Sequence, residues 1–255
     1  MPGTLFVGRE REQQLYHKFL AKKTSWVLII TGQGGIGKST LLHHLAEQTP
    51  HDIPVVTLDF ADEALRTDPL NILERVASCV KPFCDKQQTQ VFKQTLRDCH
   101  RELAALHKEA QRAIRVSERA SWPGVSLRAS INTVAVREVH LQVREQVTEA
   151  FYQQVDTFRP AHLVIMLDTF EWLSEPQGLE LGQWVKNEFI AELQMRMQEQ
   201  QQQCSFVIAS RTRPSLEVIS KQNQWCLDLA MLNQEGVDQY LEHIGMHDPE
   251  LRQYA

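Results

Sequence analysis

No apolar run in this 255-residue chain approaches the length needed to cross a bilayer, so no helical membrane span is expected. The N-terminus, Met-Pro-Gly-Thr-Leu-Phe-Val-Gly-Arg-Glu, has no basic segment followed by a long apolar core, and it does not read as a secretory signal. Cysteine is scarce. The five present (Cys79, Cys84, Cys99, Cys204, Cys226) are odd in number, none stand as Cys-x-x-Cys, and no histidine follows at zinc-finger spacing. Neither a disulfide framework nor a structural zinc site is therefore expected, but rather reduced, mostly buried thiols in a cytoplasmic protein. Basic excess is also lacking: the formal charge is −5, which gives no global reason to expect nucleic-acid binding. No Asn-Lys-x-Asp segment exists to offer a carboxylate to the donors of a guanine base. No motif repeats at a fixed period.

What is present is an ordinary globular composition, 42% hydrophobic and 23% charged, long enough for one α/β domain and the start of a second. Within it lies Gly32-Gln33-Gly34-Gly35-Ile36-Gly37-Lys38-Ser39-Thr40, directly after the apolar stretch Trp26–Ile30. This is a complete phosphate-binding loop, Gly, four residues, then Gly-Lys-Ser. Glycines let the backbone curl until successive N–H groups face phosphate oxygens. The helix expected from about Lys38 to Gln48 adds the positive end of its dipole. Lys38 supplies a cation for the β- and γ-phosphates, and the Ser39 hydroxyl is suited to ligating Mg²⁺.

Four runs are apolar throughout and read as buried parallel strands: Val27–Ile30, Val55–Phe60, Leu163–Leu167 and Phe206–Ala209. A weaker fifth is Cys226–Leu229. Helical patterns fall between them. Asp68-Pro69 opens one carrying Ile72, Leu73, Val76 and Val80. Phe92, Leu96, Cys99, Leu103, Leu106, Ala110 and Ala113 form one apolar stripe, read as a helix packed on the sheet or, alternatively, as a coiled-coil face. Val143–Phe158 and Phe189–Met197 mark two more. The expected class is α/β, a three-layer sandwich with a mainly parallel sheet.

The connection from the second strand to the third is about a hundred residues, against roughly thirty in a simple β-α-β unit. Its leftover, about 117–137, contains Trp122-Pro123-Gly124 and a short alternation at Val125, Leu127, Ala129 and Ile131. It reads as an inserted hairpin or ordered loop, either a docking element or mere decoration. Lys108, Arg112, Arg115, Arg119 and Arg128 make this neighbourhood locally basic, as a solvated helix face or a nucleic-acid contact. At the other end, Pro249-Glu250-Leu251 reads as the opening of a helix, as if the chain were the front part of a longer protein.

A phosphate-loop enzyme needs a carboxylate at the end of a neighbouring strand to hold Mg²⁺. Asp168, closing Leu163-Val164-Ile165-Met166-Leu167-Asp168, is placed to provide it; the other reading is a helix N-cap. Glu171, three residues on, could polarise the attacking water, or cap a helix. Arg211, in Ser210-Arg211-Thr212-Arg213-Pro214, is suited to a charge-assisted bond with the γ-phosphate, with Arg213 as competitor and a plain surface turn as the alternative.

Taken together these segments resemble the STAND class of P-loop ATPases, which includes the NACHT and NB-ARC proteins. Leu5-Phe6-Val7-Gly8-Arg9-Glu10-Arg11-Glu12 resembles its N-terminal motif, and the phosphate loop has its wording. Asp168-Thr169-Phe170-Glu171 resembles its Walker B strand, and Ser210-Arg211-Thr212-Arg213-Pro214 its sensor strand. Leu229–Val237 followed by Tyr240-Leu241 resembles the start of its helical lid. The resemblance implies a five-stranded sheet of order 5-1-4-3-2, an ATPase domain over 1–230 and the beginning of a lid over 231–255. It implies that Val7, Gly8 and Arg9 lie against the base or sugar. The lid's later Gly-x-Pro segment and a winged-helix sensor are absent from the chain.

The implied function is an ATP-binding, slowly hydrolysing core whose ADP or ATP–Mg²⁺ state controls self-association and the output of effector and sensor domains outside the chain, in defence or regulation. Catalytic roles fall to Glu171, Asp168, Lys38 and Arg211. Nucleotide contacts fall to Val7, Gly8, Arg9, Gly32, Gln33, Gly34, Gly35, Ile36, Gly37, Lys38, Ser39 and Thr40, and metal ligation to Ser39 and Asp168. The alternatives are an AAA+-like ATPase acting on nucleic acid and a non-hydrolysing nucleotide-bound scaffold.

Overall fold

The computed structural model describes residues 6–119, 125–217, 219–243 and 245–246. Each apolar run becomes a strand: β1 (Val27–Thr31), β2 (Val55–Asp59), β3 (His162–Asp168), β4 (Gln203–Ser210) and β5 (Gln224–Asp228). They pair in parallel in the order β2-β3-β4-β1-β5, which is the expected 5-1-4-3-2 read from the other edge. Every residue of β1 and β3 is buried, whereas the edge strands β2 and β5 are only partly so. That is why the central strands are apolar throughout and the edges carry Thr57, Gln224 and Asp228.

Two helices cover one face of the sheet. Helix α1 (Glu10–Leu20) has Glu10 and Glu12 in its first turn and His17 and Lys18 in its last, each matched to the nearby end of the dipole. Helix α2 (Lys38–Gln48) has the bounds expected of it. Tyr16 and Phe19 of α1 and Leu41, Leu42 and Leu45 of α2 join Leu28, Ile30, Val164, Met166, Val207 and Ala209 in one core. A short helix α3 (Glu63–Thr67) follows β2.

The chain divides into two units, and residues 68–159 form the second. Helix α4 (Pro69–Val80) begins as the sequence indicates: the Asp68 carboxylate accepts from Leu70 N–H at 2.9 Å, and Pro69 occupies the first turn. Helices α5 (Lys86–Arg119) and α6 (Val125–Val155) are long, and α5 extends roughly 50 Å. In its described part, the stripe expected to pack on a sheet has α6 as its partner. Phe92 meets Phe151 edge-on at 6.2 Å, and the Cys99 thiol lies 4.0 Å from the Val143 carbonyl. Buried Gln154 donates to the Ala77 carbonyl at 3.0 Å, fastening α6 to α4.

Among the described residues, the inserted hairpin or ordered loop expected over 117–137 is not found. Residues 125–137 belong to α6, and Trp122-Pro123-Gly124 lies outside the described residues. Two periods coexist in this stretch, since Leu127, Ile131 and Val134 also recur at helical spacing. An isolated two-stranded hairpin is marginal in water, whereas extending an established helix is cheap. Lys108 and Arg112 are exposed, while the side chains of Arg115, Arg119 and Arg128 lie outside the description. Among the described residues no helix is long and apolar enough to cross a membrane.

The first unit resumes at β3. Helix α7 (Leu179–Trp184) runs through a π-type turn at Val185–Phe189 into α8 (Ile190–Glu199). Phe189 packs edge-on against Phe206 of β4 at 6.3 Å, covering the sheet's other face and completing three layers. Helix α9 (Gln234–His243) follows β5. The helix expected at Pro249 lies outside the described residues.

Candidate functional site

The carboxyl ends of β1, β3 and β4 bring the phosphate loop, Asp168, Glu171 and Arg211 to one edge of the sheet, where open α/β sheets bind their ligands. The loop leaves β1 at Thr31 and enters α2 at Lys38. Gly37, the residue before that helix, has φ +95°, and Gly35 has φ +81°; L side chains rarely adopt either. A Cβ at either position would meet no atom within 4 Å, so conformation rather than crowding requires glycine there, and the loop opens onto free space. Lys38 is 9% exposed, and its ammonium donates to the carbonyls of Gly32 (2.8 Å) and Gln33 (2.9 Å). It thus lies folded across the loop it follows.

Asp168 is 3% exposed at the end of β3. Its carboxyl accepts from the Thr169 backbone N–H at 2.8 Å and from the Ser39 hydroxyl, so α2 and β3 are joined through the two residues expected to ligate Mg²⁺. Burial raises its pKa above the ordinary carboxylate range, and neighbouring Asp59 adds to the effect. Asp59 is the register partner of Asp168 at the end of β2. Thr169 spans them: its hydroxyl donates to Asp59 at 2.8 Å while its backbone takes φ 54°, ψ 37°. Left-handed geometry in a β-branched residue is strained and here begins the 3-10 turn Phe170–Ser174.

That turn presents Glu171. One carboxylate oxygen accepts from Arg211 Nε at 2.9 Å and the other from the Arg211 backbone N–H at 3.1 Å. The Arg211 guanidinium lies over the phosphate loop, 3.8 Å from where a Cβ on Gly34 would stand. Arg213 is exposed, and Arg211 makes the contact with the acid. The turn is seated by close packing. A Cβ on Gly178 would collide with the Trp172 carbonyl, and one on Gly182 with that of Leu173.

Arg9 is placed differently from Lys38. It is 5% exposed, and its guanidinium donates to the carbonyls of Ala230 (2.8 Å) and Ile36 (3.1 Å), with Glu12 at 3.7 Å. The family resemblance implies a place against the base or sugar; in the structure the Arg9 donors are directed at protein carbonyls. Val7 and Gly8, both half-buried, precede Arg9, and Gly8 lies beside the start of α9.

Sequence reasoning passed over Asp59, Thr169, Gly178 and Gly182. Asp59 had a signal, since it ends an apolar strand as Asp168 does. The glycines had none, because their neighbours come from a turn whose path the sequence does not define.

Among the curated proteins, none matches this chain significantly. The family model described as AAA ATPase domain matches residues 5–199, which include the phosphate loop, Asp168 and Glu171. That match spans most of the chain, the parallel sheet has the order of a P-loop NTPase, and the chain belongs to the AAA ATPase domain family.

Proposed function

We propose that this chain is the ATP-binding and slowly hydrolysing core of a STAND-type signalling switch, with an ATPase domain over 1–230 and a lid beginning at 231. The observation that carries this reading is the Glu171–Arg211 pair set over Gly34. An acid able to polarise water and a cation able to hold a γ-phosphate neutralise each other at the mouth of the phosphate loop. A γ-phosphate competes with Glu171 for the guanidinium, whereas a diphosphate ends short of it. Nucleotide state therefore decides whether Glu171 is free to act, and a difference of contacts between two states is what shifts a population.

The residues fit a nucleotide with Mg²⁺. The loop is left-handed at Gly35 and Gly37 and open above both, and the buried Lys38 cation needs little movement to exchange carbonyl for phosphate oxygens. Asp168 and Ser39 supply oxygen ligands, the kind Mg²⁺ prefers. Among the described residues no three His, Cys, Asp or Glu gather, so the remaining positions suit phosphate and water rather than a protein cage. The cation would neutralise charge developing on the β- and γ-phosphates. The chain's own share is to orient the phosphates through Lys38 and the loop, and to accept a proton from the attacking water at Glu171.

Calorimetry with ADP and ATP–Mg²⁺, followed by light scattering on the same samples, tests the proposal. Binding by the wild type that disappears in Lys38→Ala, with assembly in ATP alone, is the expected result. Unchanged ATP affinity in Lys38→Ala overturns the site. Binding without turnover, unaltered in Glu171→Gln, makes the chain a nucleotide-bound scaffold. Turnover stimulated by DNA makes it a nucleic-acid ATPase.

A further inference from the structure

Arg9 bonds to two stretches that lie far from it in the chain. Ile36 is in the phosphate loop, 27 positions away, and Ala230 is 221 positions away in the segment that leads from β5 into α9. A guanidinium suits this task because its donors form a rigid fork that reaches two acceptors at once. A charge this buried has no water to fall back on, so losing either carbonyl leaves unmet donors.

The same segment touches the loop at two further points. Leu229 N–H donates to the Thr31 carbonyl at 2.7 Å, at the end of β1. A Cβ on Gly32 would meet Ile36 Cγ2 at 3.0 Å and the Leu229 carbonyl at 3.1 Å, so loop and segment are packed without slack. Beyond Ala230, Asn233 begins α9: its side chain accepts from Gly236 N–H at 2.9 Å and its carbonyl from Val237 N–H at 3.0 Å. Gly8 lies beside this cap, and a Cβ there would stand 3.3 Å from Gly236 Cα. The stretch Gly8-Arg9 thus forms a strap, one end against the cap of α9 and the other on the phosphate loop.

We infer that Arg9 is a positioning residue that couples the phosphate loop to the start of α9, acting through the Ile36 and Ala230 carbonyls and not through the nucleotide. This rests on the nucleotide-binding reading above. When phosphate draws the loop N–H groups inward, the Ile36 peptide moves with them, and Arg9 carries that displacement to Ala230. Helix α9 then responds to loop occupancy without touching the phosphates.

Hydrogen exchange on the full chain, with and without ADP or ATP–Mg²⁺, tests the inference. In the wild type, nucleotide is expected to slow exchange over 32–40 and also over 230–243. In Arg9→Gln, affinity falls about tenfold. At saturating nucleotide that variant keeps the slowing over 32–40 and loses it over 230–243. Arg9→Lys keeps the charge without the fork and serves if Arg9→Gln does not fold; its slowing over 230–243 is expected to be reduced. Equal slowing of both stretches in the folded variants and the wild type overturns the coupling. So does a wild type slowed over 32–40 alone. No slowing anywhere in the wild type defeats the nucleotide-binding reading itself, which the 32–40 signal reports separately.

Discussion

Arg211 closes on Glu171 with both its side chain and its backbone: Nε lies 2.9 Å from one carboxylate oxygen and the peptide N–H 3.1 Å from the other. The Arg211 side chain is 65% exposed, so water and salt screen the pair and it adds little to stability, at most about 1 kcal/mol. Its consequence is functional. Arg211→Ala should barely move the thermal midpoint, yet it should erase any preference for ATP over ADP in calorimetry. Glu171→Gln should retain ADP affinity, bind ATP at least as tightly as the wild type, since the γ-phosphate loses its competitor, and lower turnover at least tenfold. A variant at Arg211 that still distinguishes the two nucleotides would detach sensing from this residue.

Asp168 is an ionisable group held at a cost. Burial, reinforced by Asp59, raises its pKa, so the folded chain holds that proton more firmly than the unfolded one. Its contribution is therefore greatest at low pH and is lost as pH rises through the raised folded value. Asp168→Asn keeps the hydrogen-bond acceptor and removes the charge. At pH 7 its midpoint should equal or exceed that of the wild type, while the gain in midpoint on adding Mg²⁺ with nucleotide disappears. Thermal melts with and without Mg²⁺ decide this, and an Asn variant still stabilised by Mg²⁺ would place the cation elsewhere.

His162, at the opposite end of β3, titrates in the other direction. Burial lowers its pKa to about 4, and its ring nitrogen lies 2.9 Å from the Ser205 hydroxyl, which also accepts from Trp26 N–H at 3.3 Å. The unfolded chain takes up this proton near pH 6.5, while the folded one resists until about pH 4. Stability is therefore full above pH 6.5 and falls as pH drops from there toward 4, by about 3 kcal/mol in all. Urea unfolding at pH 7 and pH 4.5 should show the loss, and His162→Gln should flatten it. An identical pH dependence in that variant would assign the acid sensitivity to other groups.

Gly182 controls Glu171 without touching it. A methyl group there would overlap the Leu173 carbonyl in the turn that presents the acid. Gly182→Ala should cost about 1–3 kcal/mol by overpacking. By displacing residues 170–174 it should lower turnover while leaving ADP affinity intact. Parallel measurement of melting, ADP binding and hydrolysis separates this from general unfolding, in which all three would fall together.

The phosphate loop, the strand-ending Asp168 and the bounds of α2 are all legible locally. Each depends on a few consecutive residues whose conformational or hydrophobic preferences agree: glycines at left-handed positions, an unbroken apolar run, a helix opening on Lys38. The Asp68-Pro69 start of α4 belongs with them. Where local signals conflict, reading fails. Residues 125–137 satisfy a strand period over four positions and a helical period over a longer stretch, and the longer one prevails.

Sequence by itself determined the class of fold, the order of its elements and most of the residues at the carboxyl edge of the sheet, because periodicity and glycine placement act within a turn or two of chain. Tertiary structure alone decided how those residues are paired. Glu171 and Arg211 are 40 positions apart, and Arg9 and Ala230 are 221. A carboxylate or guanidinium is chemically able to meet many partners, and only the placing of β3, β4, β1 and β5 side by side selects which one lies within 3 Å.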